Sequence, residues 1–200
     1  MSREALAKAL AHYPITAKLG GQDYRVRTMT TEDGKALMAF ARELPAHDTL
    51  YMRRDITRKS GVDSWLKDLR EGVIYSLLAE DSAGVCGYST VNLNELEWTR
   101  HVADLRVATA LRTRGRGLGR LLAREAFNIA LALDVEKLFA RMTPDQDGAR
   151  VLFQELGFQP EALLRDHVKD REGNYHDLLL EACSVQSFLA QRAAYGRDGG

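Results

Sequence analysis

RTRGRGLGR, residues 112–120, places four arginines and three glycines in nine positions. What flanks it decides how the chain folds. HVADLRVAT (101–109) upstream reads as a strand. Downstream, Leu118, Leu121, Leu122, Ala126, Ile129 and Leu133 recur at helical spacing, and Arg120, Arg124 and Asn128 share a polar face, which predicts an amphipathic helix of about four turns. Strand, glycine-rich turn and helix together suit an anion. The first-turn N–H groups of a helix have no intrahelical partner, and the helix dipole adds partial positive charge there. Gly115, Gly117 and Gly119 remove side chains where a phosphate approaches the backbone, and Arg114, Arg116 and Arg120 attract it from a distance. Two familiar loops do not fit: GxxxxGK[ST] is absent, and GxGxxG counted from Gly115 ends on Arg120. On these residues alone, a pyrophosphate loop of another kind and a plain glycine turn with solvated arginines both remain open.

Working outward, SREALAKALAHY (2–13) has helical spacing and QDYRVRTMT (22–30) alternates like a strand. Thr30 or Thr31 can cap the next helix, whose buried stripe is Leu37, Phe40, Ala41 and Leu44. Residues 45–72 are polar and broken, with a helix around Val62 to Leu69. VIYSLLAED (73–81) and VCGYSTVNL (85–93) read as a hairpin turning at Ser82 to Gly84, and EKLFARMT (136–143) as a further strand. Asp145 or Asp147 opens a helix that buries Ala149, Leu152, Phe153 and Leu156 and stops at Gly157. ALLRDHVKD (162–170) and YHDLLLEAC (175–183) close the pattern around REGN. The expectation is one α/β domain over 1–184 with a mixed sheet, its first 20 residues a helical extension, then a short helix and flexible tail over 185–200.

Composition narrows the function. The 28 basic and 28 acidic side chains cancel, so the arginine run is local and a nucleic-acid partner is not expected. Cys86 and Cys183 lack metal-ligand spacing, and the five histidines form no HExxH pair, so no metal site is expected. No apolar stretch is long enough to span a bilayer and no leader pattern opens the chain, which points to a cytoplasmic protein without a membrane partner.

From Asp104 to Phe158 the chain resembles the core of the GNAT superfamily of N-acetyltransferases. The family's coenzyme loop, [R/Q]-x-x-G-x-[G/A], is matched by Arg114-Gly115-Arg116-Gly117-Leu118-Gly119, and its LYxxxGF helix ending by LFQELGF, Leu152 to Phe158. The resemblance implies a mixed, mostly antiparallel sheet of six to seven strands flanked by helices and splayed at an acyl-CoA cleft. It implies acetyl-CoA as cosubstrate, its pyrophosphate on the loop amides from Arg114 to Arg120 and its pantetheine arm beside Val107, Ala108 and Thr109. An N–H near Val107 or Ala108 would polarise the thioester, and Gln146 falls where relatives place a coenzyme-contacting asparagine.

For the base that deprotonates an amine, Asp104 is the first candidate, at the offset where some protein-lysine acetyltransferases of the family carry a glutamate; an ion pair with Arg106 is its structural alternative. His101 is second and Glu97 third, each with an ordinary surface role as its alternative. Phe153 stands where many relatives have the tyrosine that protonates the departing thiolate, so that acid is missing and Phe153 is left to wall the coenzyme; Tyr175 would replace it only if the fold brought it near. Similarity to single-domain bacterial members, related to modules fused to acyl-CoA synthetases, favours a protein lysine as acceptor, with a small amine as the other candidate. A non-catalytic acyl-CoA sensor and a nucleic-acid module are the competing readings, and the chain is expected as a monomer or homodimer.

Overall fold

The computed structural model describes residues 3–50 and 52–195. Its strands are β1 (Ile15–Leu19), β2 (Gln22–Thr28), β3 (Ile74–Asp81), β4 (Gly84–Leu93), β5 (Val102–Thr109), β6 (Lys137–Met142), β7 (Gln159–Lys169) and β8 (Tyr175–Ser184). They form a single sheet in the order β1-β2-β3-β4-β5-β6-β8-β7. Among the described residues, eight strands stand where six to seven are expected. The additional one is β1, inside the stretch read as an extension. It pairs with β2 from Ile15↔Val26 to Leu19↔Gln22, around Gly20 and Gly21 at φ 56° and 80°. A two-glycine turn between alternating runs is a hairpin signal, but ITAKL lies at the sheet edge and is half-buried, so its apolar contrast is weak. The last helix is Val185–Tyr195, and the tail expected to be flexible beyond it lies outside the described residues.

The helices are α1 (Arg3–Ala11), α2 (Gly34–Glu43), α3 (Ala46–Leu50), α4 (Lys59–Arg70), α5 (Leu118–Ala132), α6 (Asp147–Glu155) and α7 (Val185–Tyr195). Thr30 and Asp33 form a capping box ahead of α2: the Thr30 N–H donates to Asp33 Oδ2 at 2.7 Å. Neighbouring residues of β4 show which helices cover which face. A Cβ on Gly87 would lie 3.0 Å from Leu122 of α5, whereas Tyr88 meets Phe40 of α2 and Trp65 of α4 edge-on at 6.0 and 5.0 Å. Since side chains alternate along a strand, α5 packs one side and α2 with α4 the other.

All neighbouring strands are antiparallel except β5 and β6. These pair in parallel over Val102↔Lys137, Ala103↔Leu138 and Asp104↔Phe139 and then part, although β5 continues to Thr109 and β6 to Met142. The sheet is split from Leu105 onward, and the two sides of the split carry backbone groups that no neighbouring strand satisfies.

Candidate active site

The glycine loop sits at the open end of this split. Gly115 and Gly117 have φ of 72° and 89°, the left-handed region, and a Cβ on either would meet open space. Backbone conformation, rather than clearance, makes them glycine. Gly119 differs: its Cβ would come within 3.3 Å of Leu152 Cδ2, so the bare position lets α6 lie against α5. The Leu121 N–H donates to Gly117 O at 3.0 Å. The N–H groups of Leu118, Gly119 and Arg120 precede that bond, and Gly117 supplies no side-chain cap. Three donors and a helix dipole therefore meet at the loop with nothing from the helix itself to satisfy them.

These groups border a cleft of about 720 Å³. Val107, Ala108 and Thr109 line it from β5, Arg114, Gly115, Gly117, Leu118, Gly119 and Arg120 from the loop, and Gln146 and Phe153 from the β6–α6 side. Gln146 precedes α6 and its Oε1 accepts from the Thr143 N–H at 3.1 Å, fixing the turn out of β6. Phe153 is 5% exposed and meets Phe158 edge-on at 4.9 Å, so it is both core and cleft wall. Arg116 does not join the others. Its Nη1 donates to Gln22 Oε1 at 3.1 Å and its stem lies beside Gly20, because the β1–β2 hairpin occupies the space next to it.

Strand parity identifies which β5 amides face the split. The Ala110 N–H donates to Cys86 O on the β4 side at 2.8 Å, and His101 O accepts from Glu136 and Lys137 N–H on the β6 side at 2.8 and 3.1 Å. N–H directions alternate along the strand. The Val107 N–H accordingly points into the gap and the Ala108 N–H toward β4.

The candidate bases are placed unequally. Asp104 is 4% exposed, and its Oδ2 lies 3.3 Å from Arg106 Nε and 3.8 Å from Arg141 Nη2. Its Oδ1 is buried without a hydrogen-bond partner. Both arginines line the cleft and Asp104 does not, so the carboxylate sits behind them. His101 is exposed at the entry of β5, on the paired side of the split and away from the cleft lining. Glu97 is exposed in a 3-10 turn spanning Glu97–Thr99. Tyr175 is 62% exposed on β8, under the Lys169 ammonium, and is also absent from the lining.

Other lining residues were not singled out from the sequence. Tyr88 is buried at the cleft, its hydroxyl 4.0 Å from Met52 Sδ, and burial pushes that hydroxyl up to about 12, with Arg106 opposing the shift. His47 and Asp48 of α3 cross the cleft mouth. His47 Nε2 lies 2.9 Å from Asp145 Oδ2, and Asp48 is ion-paired with Arg114. Arg120 is likewise paired with Glu155.

A split parallel strand pair facing an uncapped helix start is the geometry of a protein that holds a phosphorylated coenzyme through its sheet. The model of the acetyltransferase (GNAT) family matches residues 34–158, and the chain belongs to that family. A member of this family takes its acetyl group from acetyl-CoA. Among solved structures, the ribosomal-protein-alanine N-acetyltransferase of Brucella melitensis is 25% identical, with a TM-score of 0.69 over 80% of this chain and 98% of that one. An N-acetyltransferase of Staphylococcus aureus Mu50 is 15% identical with a TM-score of 0.72 over 81% and 98% of the two chains. YncA of Salmonella typhimurium, solved with its cofactor acetyl-CoA, is 19% identical with a TM-score of 0.68 over 81% and 94%. A search of curated protein sequences finds no match. No helix among the described residues is long and apolar enough to cross a membrane.

Proposed function

We propose that this protein transfers the acetyl group of acetyl-CoA directly to a primary amine, through a tetrahedral intermediate formed in the gap between β5 and β6. The parting of those strands after Asp104↔Phe139 carries the proposal. It gives the pantetheine arm a strand-like channel ending near the loop that meets the pyrophosphate. In this reading the N–H groups of Leu118, Gly119 and Arg120 hold the pyrophosphate, with Arg114 beside them. The Val107 N–H polarises the thioester carbonyl and then holds the oxyanion; loss of one such donor costs about 3–4 kcal/mol of barrier.

The amine must lose its proton to attack. An ammonium of ordinary pKa is neutral at pH 7 at a cost of roughly 4–5 kcal/mol. Asp104 serves as base through a water that passes between Arg106 and Arg141, using the oxygen that neither arginine holds. Tyr88, whose raised titration keeps it protonated, is the cleft hydroxyl able to donate to the departing sulfur in place of the missing tyrosine at Phe153. The acceptor is a protein lysine or a small amine that enters from the α2/α4 side.

Free-thiol release from acetyl-CoA across an amine panel, together with thermal stabilisation by acetyl-CoA, tests the reading. Stabilisation and amine-dependent release are expected. Absence of stabilisation removes the coenzyme site. Stabilisation without release from any amine favours an acyl-CoA sensor, the reading to which Phe153 gives support. Asp104→Asn should lower turnover and flatten its rise with pH; an unaltered profile moves the base elsewhere.

A further inference from the structure

We infer that the acceptor is an amine carrying its own carboxylate close to the reacting nitrogen, an inference that rests on the transferase reading above. On the α2/α4 face, register places Tyr88, Thr90 and Asn92 of β4 beside Ala108, Arg106 and Asp104 of β5, with Phe139 of β6 next to Asp104 and Arg141 one alternation further. The loop and α6 hold the opposite end of the cleft, so the amine approaches from this face.

Charge divides the cleft in two. At the coenzyme end the acidic side chains are engaged: Asp48 with Arg114, Glu155 with Arg120, Asp145 with His47 and Asp147 with Arg150. At the acceptor end Arg106 and Arg141 converge on a single carboxylate oxygen, Asp104 Oδ2. Arg141 remains 43% exposed and lies 4.9 Å over the Phe139 ring, which orients its guanidinium at the cleft. A recess of about 20 Å³ adjoins this point, and Arg53, Arg54 and Arg106 line it together with Thr90 and Asn92. Arg54 is engaged by Asp68.

Arg106 and Arg141 share the one carboxylate of Asp104, Arg54 is taken by Asp68, and Arg53 lines the recess, so cations outnumber anions at the acceptor end. A bare ammonium entering there meets like charge, whereas an amine bearing a carboxylate presents the planar acceptor that an arginine fork matches with two N–H donors. The recess has room for about one water molecule or a terminal oxygen, and not for the body of a ligand. Arg106 adjoins Val107, whose N–H faces the gap where the acetyl group is transferred in this reading, so the anion belongs at the end of the acceptor that carries the amine.

The test compares kcat/KM, by thiol release, for α-amino acids and for the same molecules without the carboxylate, such as lysine against 1,5-diaminopentane and phenylalanine against phenethylamine. The amino acids should be favoured by about 10- to 100-fold, the range for hydrogen bonds to a charged group. Arg141→Gln should collapse that ratio toward unity, and Arg141→Lys should retain part of it. A second arm uses peptides with lysine flanked by Glu or by Gln, and distinguishes a free amino acid from an acidic peptide as the source of the carboxylate. A third measures binding of N-acetyl amino acids and N-acetyl amines to the CoA-loaded protein by calorimetry. If no amine is acetylated but N-acetyl amino acids bind in an Arg141-dependent way, the transferase reading falls and the anion site stands. If simple amines are acetylated as well as amino acids, or the preference survives in Arg141→Gln, the inference is overturned while the transferase reading stands.

Discussion

Gly117→Ala isolates the loop's backbone from its sterics. The added methyl meets nothing within contact range, so no clash accompanies the substitution. What remains is φ, at 89°. An L-residue held there loses about 1–2 kcal/mol relative to glycine. The chain can absorb this in two ways. If packing holds the loop, the loss appears as stability, roughly 2–4 °C in melting temperature for each kcal/mol in a domain of this size. If the loop relaxes to negative φ, the N–H groups of Leu118, Gly119 and Arg120 turn away from the cleft, and acetyl-CoA must restore them on binding. The dissociation constant then rises by about 5- to 30-fold. Calorimetry with acetyl-CoA and thermal denaturation, read together, should account for about 1–2 kcal/mol between them. Gly119→Ala is the control. It sits inside α5, where alanine is the better helix former by about 1 kcal/mol, and its 3.3 Å approach to Leu152 Cδ2 asks only a small shift of a side-chain end. It should leave melting close to that of the parent protein. A Gly117→Ala protein with parental melting temperature and parental affinity would refute the assignment of this loop.

Asp48→Asn removes the carboxylate that holds Arg114 at the cleft mouth, and should tighten acetyl-CoA binding by up to about fivefold, the worth of an exposed ion pair; weaker binding in calorimetry counts against competition between Asp48 and the pyrophosphate. Phe153→Tyr places a hydroxyl on the cleft wall and should raise kcat in the thiol-release assay; an unaltered kcat means that proton delivery to the sulfur does not limit turnover from that position. Glu181 on β8 is fully buried, and burial raises its titration above the ordinary carboxylate range, with the Gln154 side chain and the Arg150 charge opposing. The native state keeps a proton that the unfolded chain has already lost, so this group's contribution to stability falls as pH rises from the ordinary carboxylate range through the raised folded value. Glu181→Gln should therefore melt higher than the parent near pH 7, with the gap closing near about pH 4; a gap that widens on acidification refutes the sign.

What could be read from the sequence is local in space. A left-handed glycine, a helical apolar period and a helix that stops at glycine each depend on a few consecutive residues, and the loop from Arg114 to Arg120 with its helix follows from them. The same spacing does not say which glycine serves which need: Gly117 bends the chain and Gly119 makes room for Leu152, yet both are one letter in one pattern. Arg116 was grouped with its neighbours by charge alone. Its direction is set by Gln22, 94 positions away in the chain, on a hairpin whose first strand gave too little apolar contrast to be recognised. The choice between the Val107 and Ala108 amides needs the parity that the Ala110 to Cys86 and Glu136 to His101 bonds supply.

The two halves of the cleft consequently tolerate change differently. The pyrophosphate end is one continuous segment, and its donors are backbone groups that any side chain would leave in place so long as φ is allowed. The acceptor end is assembled by register: Tyr88 from β4, Asp104 and Arg106 from β5, Arg141 from β6, each at an alternate position that faces α2 and α4. Because a strand's side chains have a period of two, a slip of one residue in β5 would bury Arg106 against α5 and turn Leu105 and Val107 toward the acceptor. The loop would survive that slip as a local structure while the arginine pair would not. In the proposed reading, acceptor preference is a property of strand register and the coenzyme site a property of a short stretch of sequence, which is why the sequence offers a candidate for the second and none for the first.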